Sequence, residues 1–510
     1  MQKRVVFKPI HQQQLSLLPP SLEELISPTH PVRVVNDVIN RIDIGVLERD
    51  YKGGGASSYH PRMLLKVLVF GYLSNIYSSR KIEAAIKENI HFMWLAGMSR
   101  PDHHTINRFR GVRLQHTLKD IFTQVVELLV ESGHVSLQEV YVDGTKIEAN
   151  ANRYTFVWGN AIKTNRAKMQ TQLKELWDYA ERVAHIEKDD TTPTDFEPTD
   201  PEKVRATIEK INQALQPVAN VDKKVKAKLN YAERHWPAAI EKYQAHEAIL
   251  GDRNSYSKTD PDATFMRMKE DHMKNGQLKA AYNVQISTEN QFITNYTLHQ
   301  NPTDTKTLIP HVEEFKSRFE TSPKVVVADA GYGSEQNYQY LEQEHVTAYV
   351  KYNLFDKEQR SKRIDKKPFA ADKLYYNQSK NEYICPMGQG IKHIGQYKQE
   401  TEAGYQRIID RYQATDCSRC PLNGVCHKSK GNRIIEVSHR GNALKKQANE
   451  NLKSEQGIYY RKKRCIEPEP VFANIKHNKN FKRFMLRGLQ KVSIETGLLA
   501  IAHNLKKKSA

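Results

Sequence analysis

The stretch "EVYVDGTKIE", from Glu139 to Glu148, begins as a buried β-strand and then places Asp143 where the apolar pattern should continue. A second stretch, "VVVADAG" from Val325 to Gly331, repeats the arrangement and places Asp329 directly after an apolar run. Taken alone, each aspartate is more often a turn residue or a helix cap. Carboxylates at neighbouring strand ends are the hard oxygen ligands that Mg²⁺ requires, so the pair together predicts a metal site on a sheet.

The segments around these aspartates predict a mixed α/β core. Strands are expected over residues 138–148, 280–288 and 291–299, and the last two form a hairpin. An amphipathic helix follows in "DTKTLIPHVEEFKSRF", and then come the strand before Asp329, a helix, and a final strand in "VTAYVKY". Without an intervening helical insertion, this is the βββαβαβ order of an RNase H-like sheet, although the order is not unique to that fold.

Composition narrows the class of protein. A chain of 510 residues predicts two to four domains, and 39% apolar residues allow globular interiors. No apolar run reaches the roughly 18 residues that span a bilayer, and the N-terminus lacks the pattern of a secretion signal, so we expect an intracellular protein. The excess of 78 Lys and Arg over 59 Asp and Glu gives a net charge of +19, which predicts binding to a polyanion such as nucleic acid.

Changes of pattern along the chain predict several domains. Pro101 and Asp102 precede "HHTINRFR", a short basic helix typical of a helix-turn-helix DNA reader; the alternative is a packing domain with an exposed basic face. The predicted parts are a helical N-terminal DNA-binding domain (1–135), an α/β catalytic core (136–160 and 256–354), a helical insertion (161–255), a basic cysteine-rich insertion (355–455) and C-terminal catalytic helices (456–510).

A third carboxylate would complete the metal shell, and "IEPEPVFANIKHNKNFKRF" offers two. Glu467 and Glu469 both stand at a predicted helix start, where acidic residues also complement the helix dipole. Glu469 is the stronger candidate because it directly precedes the apolar run and stands seven positions, about two turns, before Lys476. The carboxylate and the ammonium then share one helix face, where Lys476 can hold a DNA phosphate beside the metals.

Clustered cysteines form a second constellation. A C-x2-C pair with two further cysteines is a tetrahedral thiolate set suited to structural Zn²⁺. The alternatives are buried free thiols or a cluster that has lost its metal. His427 is a spare ligand, and the isolated Cys465 is predicted to be a packing residue. The four clustered residues are Cys385, Cys417, Cys420 and Cys426.

A few other side chains carry competing interpretations. Trp158 offers a ring on which an extruded base can stack, but anchoring the helical insertion to the core is at least as strong an interpretation. Asp260 and Asp262 in "TDPDA" are candidates for the metal region, although a turn role is favoured. Asp304 is predicted to cap the helix that follows it.

Seven ordered motifs resemble the blocks of bacterial insertion-sequence transposases of the DDE class, above all the group numbered eleven-eighty-two. The resemblance runs from about residue 5 to 508. It implies an RNase H-like core with a catalytic triad of Asp143, Asp329 and Glu469 that binds Mg²⁺ or Mn²⁺. The motifs are "YVDGTKIEANANRYTFVWG", "TDPDATFMRMK", "AAYNVQ", "NPTDTKTLIPH", "VVVADAGYGSEQN", "EPVFANIKHNKNFKRFMLRGL" and "LLAIAHNLKK".

The resemblance also implies the reaction and the partners. Such enzymes hydrolyse the transferred-strand phosphodiester at the ends of the element and then use the freed 3′-hydroxyl to attack target DNA. The expected partners are double-stranded DNA, as terminal inverted repeats and as target, and a second copy of the chain on that DNA, with no membrane. The expected location is the bacterial cytoplasm, at the nucleoid. The predicted DNA contacts are Lys476, Arg464, Lys146, Arg153, Arg108, Arg110, Lys482, Arg483 and Trp158.

One departure from the related transposases concerns the third carboxylate. Those enzymes carry a Tyr, Arg, Glu, Lys signature with two residues between Tyr and Arg and three between Arg and Glu. Here Glu469 and the later lysine fit the second half, but Cys465 occupies the position of the arginine. Arg464, one position earlier, and Tyr460 or Tyr459 are the candidate substitutes.

Three functions compete at this stage. The first is a transposase whose N-terminal helices bind the terminal inverted repeats. The second is an RNase H-like nuclease that cuts DNA without joining it, and the third is a non-catalytic DNA-binding regulator derived from a transposase. The presence of an Asp, Asp, Glu set argues against the third, because a regulator needs no metal-binding carboxylates.

Overall fold

The computed structural model describes residues 20–51, 57–184, 195–268, 276–359 and 369–509. The chain divides into two compact units, one formed by Met1–Gly133 with Ile494–Ala510 and the other by His134–Ser493. Residues 494–510, expected among the C-terminal catalytic helices, are thus grouped with the N-terminal helices. Among the described helices, none has both the length and the apolar character that crossing a bilayer demands.

The first unit is helical, as the sequence predicts for the N-terminal region. α4 is buried along almost its whole length, which marks it as a helix surrounded by others. The predicted basic helix is α7, and its predicted start signal holds, because Asp102 accepts a hydrogen bond from the Thr105 amide at 2.8 Å. The helices are α1 (Leu22–Leu25), α2 (Pro31–Arg41), α3 (Gly45–Arg49), α4 (Pro61–Leu73), α5 (Ser79–Glu88), α6 (Ile90–Leu95), α7 (His103–Gly111) and α8 (Leu118–Glu131).

The second unit is built on a mixed sheet, which confirms the predicted α/β core. Its strand order is β4-β5-β1-β7-β8, and β6 pairs with β5. β1 runs parallel to β7 and antiparallel to β5, and β7 runs parallel to β8. The strands are β1 (Glu139–Glu148), β4 (Thr264–Arg267), β5 (Leu278–Glu289), β6 (Phe292–His299), β7 (Val325–Ala328) and β8 (Thr347–Val350), with β2 (Phe156–Trp158) and β3 (Ser255–Ser257) as a separate pair.

The predicted hairpin is formed by β5 and β6. Its two turn residues, Asn290 and Gln291, both have positive φ, the geometry that suits the twist of a two-residue hairpin turn. Two helices, α12 (Leu308–Phe319) and α13 (Glu335–Gln343), follow β6 and β7 respectively. The predicted order of strands and helices in this part of the core therefore holds along the chain.

In its described residues, 161–184 and 195–255, the helical insertion contains three helices rather than the hairpin that the sequence suggested. They are α9 (Gly159–Ala184), α10 (Pro201–Leu215) and α11 (Lys223–Leu250), and they share an apolar cluster of their own that includes Trp177, Ile208 and Trp236. β2 and β3 pair where the insertion leaves and re-enters the core. The insertion is thus closed at its base by paired strands.

The cysteine-rich insertion contains a five-stranded antiparallel sheet that the sequence analysis missed. Its strands alternate weakly and leave much of their surface exposed, so their pattern resembles that of a polar loop. The order is β13-β12-β11-β10-β9. The strands are β9 (Tyr375–Asn377), β10 (Glu382–Ile384), β11 (Gly390–Glu400), β12 (Gln406–Ala414) and β13 (Ile434–Val437).

The remaining helices flank this sheet in the chain. The part that matters for function is the succession α16, α17 and a π-helical turn at Asn474–Asn478, because it carries the predicted third carboxylate. The helices are α14 (Phe355–Glu358), α15 (His439–Lys453), α16 (Glu455–Arg464), α17 (Pro468–Ala473) and α18 (Leu489–Lys508).

Candidate functional site

The strand register places the two predicted aspartates side by side. Parallel pairing between β1 and β7 ends with Val142 opposite Ala328, so Asp143 and Asp329 are the next residues on adjacent strands. β1 continues beyond Asp143 alongside β5, so this aspartate lies within a strand and neither caps a helix nor sits in a turn. Asp329 begins the turn after β7, where its Oδ1 accepts a hydrogen bond from the Gly331 amide at 2.8 Å.

Arg464 joins the two aspartates to the predicted third carboxylate. Its Nη2 lies 3.3 Å from Asp143 Oδ1 and 3.6 Å from Asp329 Oδ2. Its Nη1 lies 3.4 Å from Glu469 Oε1. Arg464 ends α16 and Glu469 lies in the first turn of α17, a helix that packs against β1. One guanidinium is therefore surrounded by three carboxylates from three different elements.

The other candidate for the third carboxylate, Glu467, faces away from this group. Its side chain is only 3% exposed, and its Oε2 accepts a hydrogen bond from the Gln291 amide at 2.7 Å, at the turn between β5 and β6. Burial raises the pKa of Glu467 above its usual range. The structure therefore brings Glu469, and not Glu467, to the two aspartates.

A break between α16 and α17 separates Arg464, the candidate substitute for the signature arginine, from Glu469. Residues 465–467 form a turn, so sequence spacing measured along one continuous helix does not apply. Cys465 is exposed, while Arg464 reaches the carboxylates. Tyr460 is buried and donates a hydrogen bond to Glu139 Oε1 at 2.7 Å, and Tyr459 is largely exposed. Tyr460 thus fixes α16 to the edge of β1 and does not itself contact the three carboxylates.

A buried polar network lies beside the aspartates, and sequence reasoning did not predict it. Asp304 Oδ1 accepts hydrogen bonds from Asn283 Nδ2 at 2.8 Å and from Gln285 Nε2 at 3.0 Å. The Tyr332 hydroxyl donates a hydrogen bond to Gln285 Oε1. We call Asn283, Gln285, Asp304 and Tyr332 the amide network. A signal for it exists in the sequence, since polar residues alternate with apolar ones in β5 and so share one face of the strand.

The amide network constrains the residues next to both aspartates. Gln285 lies opposite Gly144 in the sheet, and a Cβ on Gly144 would lie 2.2 Å from Gln285 Nε2. A Cβ on Gly331 would lie 3.0 Å from Asp329 Oδ1 and 3.4 Å from Asp304 Oδ2. Each aspartate is therefore followed, one or two positions later, by a glycine that the neighbouring polar groups require.

Asp304 does not have the predicted role of a helix cap. It begins a short 3-10 turn, Asp304–Lys306. Its side chain accepts hydrogen bonds from the side-chain amides of Asn283 and Gln285 instead of from the free N–H groups of α12. Burial raises the pKa of Tyr332 well above its ordinary value, and the negative charges of Asp304, Asp143 and Asp329 raise it further. The Tyr332 hydroxyl consequently remains a proton donor beside a cluster of carboxylates.

One predicted DNA contact is wrong. Arg110 is only 3% exposed, and its Nη1 donates hydrogen bonds to the Tyr77 carbonyl at 2.7 Å and to the Tyr72 hydroxyl at 3.2 Å. Glu495 Oε1 lies 3.9 Å from the same nitrogen. The guanidinium therefore neutralises a buried carboxylate inside the helical unit, where no phosphate can reach it. The basic pattern of α7 did not reveal which of its arginines faces inward.

The other predicted DNA contacts differ in how their side chains are engaged. Lys146 Nζ donates to the Arg267 carbonyl at 3.1 Å. Arg483 donates to the carbonyls of Ala149 at 3.2 Å and Ala151 at 2.9 Å, so its guanidinium holds the segment that follows β1. Lys476 is half-buried in the π-helical turn. The exposed members of the predicted set are Arg108, Arg153, Lys482 and Arg483.

Trp158 and the acidic pair have local packing roles. The Trp158 ring lies 6.0 Å from that of Phe156 and 5.8 Å from that of Phe265, which matches the anchoring interpretation. Asp260 is buried and accepts hydrogen bonds from the Tyr282 hydroxyl at 2.9 Å and the Gly488 amide at 3.1 Å. Its neighbour two positions on accepts from the Leu489 amide at 2.8 Å. The pair Asp260 and Asp262 therefore holds the start of α18.

The clustered cysteines surround a small common cavity. The cavity measures about 20 Å³, and Cys385, Cys417, Cys420, Cys426 and His427 all line it. His427 Nδ1 lies 2.7 Å from Ser429 Oγ, and its Nε2 is buried with no hydrogen-bond partner in the part of the chain that the structure describes. Arg433 donates to Cys426 Sγ at 2.9 Å.

Neither predicted metal centre is assembled for a metal in the described part of the chain. Within residues 20–51, 57–184, 195–268, 276–359 and 369–509, no group of three or more His, Cys, Asp or Glu side chains is arranged to hold a metal ion. The predicted zinc site is therefore not shown. At the carboxylates the central position belongs to the Arg464 guanidinium instead.

Comparison with known families gives two matches. Residues 20–111 match the family described as Transposase domain (DUF772), and residues 384–508 match the family described as Transposase DDE domain. The second match includes Arg464, Glu469 and the clustered cysteines, whereas Asp143 and Asp329 lie outside it. No match was found among curated proteins or solved structures. The assignment to the group numbered eleven-eighty-two stays a prediction. The two matches, at residues 20–111 and 384–508, indicate an insertion-sequence DDE transposase family.

Proposed function

We propose that the chain is a DNA transposase that cleaves the ends of an insertion sequence and joins the freed 3′-hydroxyl to target DNA. The observation that carries the proposal is the convergence of Asp143, Asp329 and Glu469 on one cation, the Arg464 guanidinium. Carboxylate oxygens are the donors that Mg²⁺ and Mn²⁺ prefer, and the guanidinium stands in for such an ion. When bound there, two such ions would stabilise the attacking and leaving oxygens of a phosphoryl transfer.

Neighbouring residues hold the carboxylates of Asp143 and Asp329 in place. Asp143 is fixed by a strand that pairs on both sides, and the turn that carries Asp329 is fixed by the Gly331 amide. The amide network packs against both, through Gln285 on Gly144 and Asp304 near Gly331. Preorganised ligands lower the cost of holding charges of the same sign together. The strand order and directions also support the proposal of an RNase H-like core.

DNA binding is proposed from charge and exposure. The last turn of α16 contains four basic residues, Arg461 to Arg464, and it ends at the carboxylates. Lys476, Lys482 and Arg153 are further proposed contacts, and Arg108 on α7 is proposed to bind the terminal repeats. Two ends of an element must be processed together, so we also propose that two copies of the chain act on the DNA, at the bacterial nucleoid.

A cleavage assay tests the proposal. DNA that carries the ends of the element is incubated with the full chain, Mg²⁺ and a target plasmid, and the products are separated on denaturing gels. Strand joining is the expected result. Cutting without joining would favour an RNase H-like nuclease, and binding without cutting would favour a regulator derived from a transposase.

We also propose that the clustered cysteines bind one structural Zn²⁺ ion. The support is the shared cavity and the buried Nε2 of His427, since a buried nitrogen without a partner is poised to accept a bond. The guanidinium of Arg433 already lies against one of the thiols, Cys426, as a cation would. Elemental analysis of protein purified without chelator is expected to give about one zinc per chain. A folded, metal-free protein would contradict this proposal.

A further inference from the structure

Arg464 occupies the position that a metal ion would take if the carboxylates have their proposed metal-binding role. The guanidinium contacts one oxygen each of Asp143, Asp329 and Glu469 at 3.3 to 3.6 Å. Mg²⁺ binds carboxylate oxygens at about 2.0–2.1 Å, so an ion between these side chains needs the same oxygens. The arginine and the metal therefore compete for one position.

We infer, on the basis of the proposed function, that Arg464 is a built-in counter-ion, which holds the three carboxylates together before metal arrives and which the metal must displace. Three carboxylates at close range repel one another, and the guanidinium compensates only one of the three charges. Two negative charges remain, enough to attract a divalent ion into the group. Arg464 thus keeps the site assembled and at the same time lowers its affinity for metal.

The contacts of the arginine show that it can be released. The Arg464 side chain is 12% exposed, yet its Nε is buried without a hydrogen-bond partner among the described residues. A buried donor without a partner weakens the hold of the site on the side chain. Arg464 is also the last residue of α16 and is followed by the turn at residues 465–467, so its side chain can rotate outward without unwinding the helix.

A released guanidinium has an anionic partner in the proposed reaction. Arginine binds phosphate through two parallel N–H groups, and Arg461, Lys462 and Lys463 make the same turn strongly basic. The displaced Arg464 is then available for its predicted contact with a phosphate of the bound DNA strand. Metal and DNA then favour the same released state, and each strengthens the binding of the other.

Mn²⁺ titration without DNA tests the inference, with free Mn²⁺ followed by electron paramagnetic resonance. Arg464→Gln is expected to bind Mn²⁺ about tenfold or more tightly than the wild type, because one competing positive charge is gone. The matched control, Lys462→Gln, removes the same charge from the same turn at an exposed position and should change the affinity less than about twofold. An Arg464→Gln affinity equal to or weaker than that of the wild type would overturn the inference.

Two further measurements separate the possible failures. If Asp143→Asn binds Mn²⁺ with the same affinity as the wild type, the carboxylates do not bind metal. The proposed function then fails along with the inference. If Arg464→Gln does not fold, the wild type itself is labelled with phenylglyoxal, an arginine reagent, with and without Mg²⁺. Labelling of Arg464 should rise severalfold with Mg²⁺ while that of Arg433 stays constant; unchanged or lower labelling of Arg464 would refute displacement.

Discussion

The carboxylate group and the cysteine cavity are both predicted metal centres, yet the chain fills them differently. A guanidinium occupies the middle of the carboxylates, whereas the thiols surround a cavity of about 20 Å³ with an arginine at its edge. Ionised carboxylates repel one another at close range, and a cation between them offsets that repulsion. A neutral thiol carries no charge, so thiols can be neighbours without a cation. Both groups therefore contact an arginine, but only the carboxylates have it at their centre.

The largest effect is expected from the carboxylates themselves. Asp143→Asn and Glu469→Gln should each reduce strand cleavage by about 10³-fold or more, because each removes a charged ligand from the proposed metal site. DNA binding measured by gel shift should be nearly unchanged. Cleavage by either variant at more than a tenth of the wild-type rate would show that the chemistry lies elsewhere.

A second large effect is expected from crowding beside Asp143. Gly144→Ala places a Cβ 2.2 Å from Gln285 Nε2, so the amide network or the strand must move. A displacement of about 1 Å at a catalytic centre can cost about 10²-fold in rate. Gly431→Ala in the cysteine-rich insertion is the matched control, since a Cβ there meets no described residue within 4 Å and should leave cleavage intact. Equal rates for the two variants would mean that the amide network does not position Asp143.

A smaller effect on chemistry is expected from the cysteine region. Cys417→Ser should remove most of the bound zinc and lower the melting temperature by several degrees, since a structural zinc contributes directly to folding. Cleavage at a temperature where the variant is folded should fall only modestly, because these thiols are proposed to hold structure. Mass spectrometry and thermal melts measure both. Unaltered zinc content with unaltered stability would remove the cysteines from any metal role.

The smallest effect concerns Glu467, the carboxylate that the structure turns away from the site. Its folded-state pKa is raised by burial, so its contribution to stability is full below the unfolded pKa and is lost as pH rises through the folded pKa. At low pH, Glu467→Gln should therefore be less stable than the wild type. This difference in melting temperature should shrink as the pH rises from about 4 to 7. Cleavage should persist in this variant, in contrast to Glu469→Gln. An opposite trend with pH would contradict burial as the dominant cause.

Local patterns were enough to predict which three carboxylates meet at Arg464, but not the groups that surround them. Asp143, Asp329 and Glu469 each follow or precede an apolar run, and the strand order brings the first two together. Asp304 was misassigned because its partners, Asn283 and Gln285, lie across the sheet and not along the chain.

Two other errors have similar causes. Arg110 was predicted to contact DNA because its helix is basic, while in the structure it is buried near Glu495, almost four hundred residues away in the chain. The sheet of residues 375–437 was missed because its strands are stabilised by pairing with one another more than by burying a regular apolar face. Contacts that join distant segments leave little trace in a single sequence.

The paired strands β2 and β3 make the helical insertion a self-contained segment that begins and ends at one place on the core. The two ends of the insertion are neighbours because β2 pairs with β3, so the insertion joins the core as a closed loop. The entropic cost of closing a loop grows only slowly with its length. The insertion also has an apolar cluster of its own, so much of its packing lies within it. Evolution can lengthen, shorten or exchange this segment without moving Asp143, only thirteen residues before β2 on the same chain.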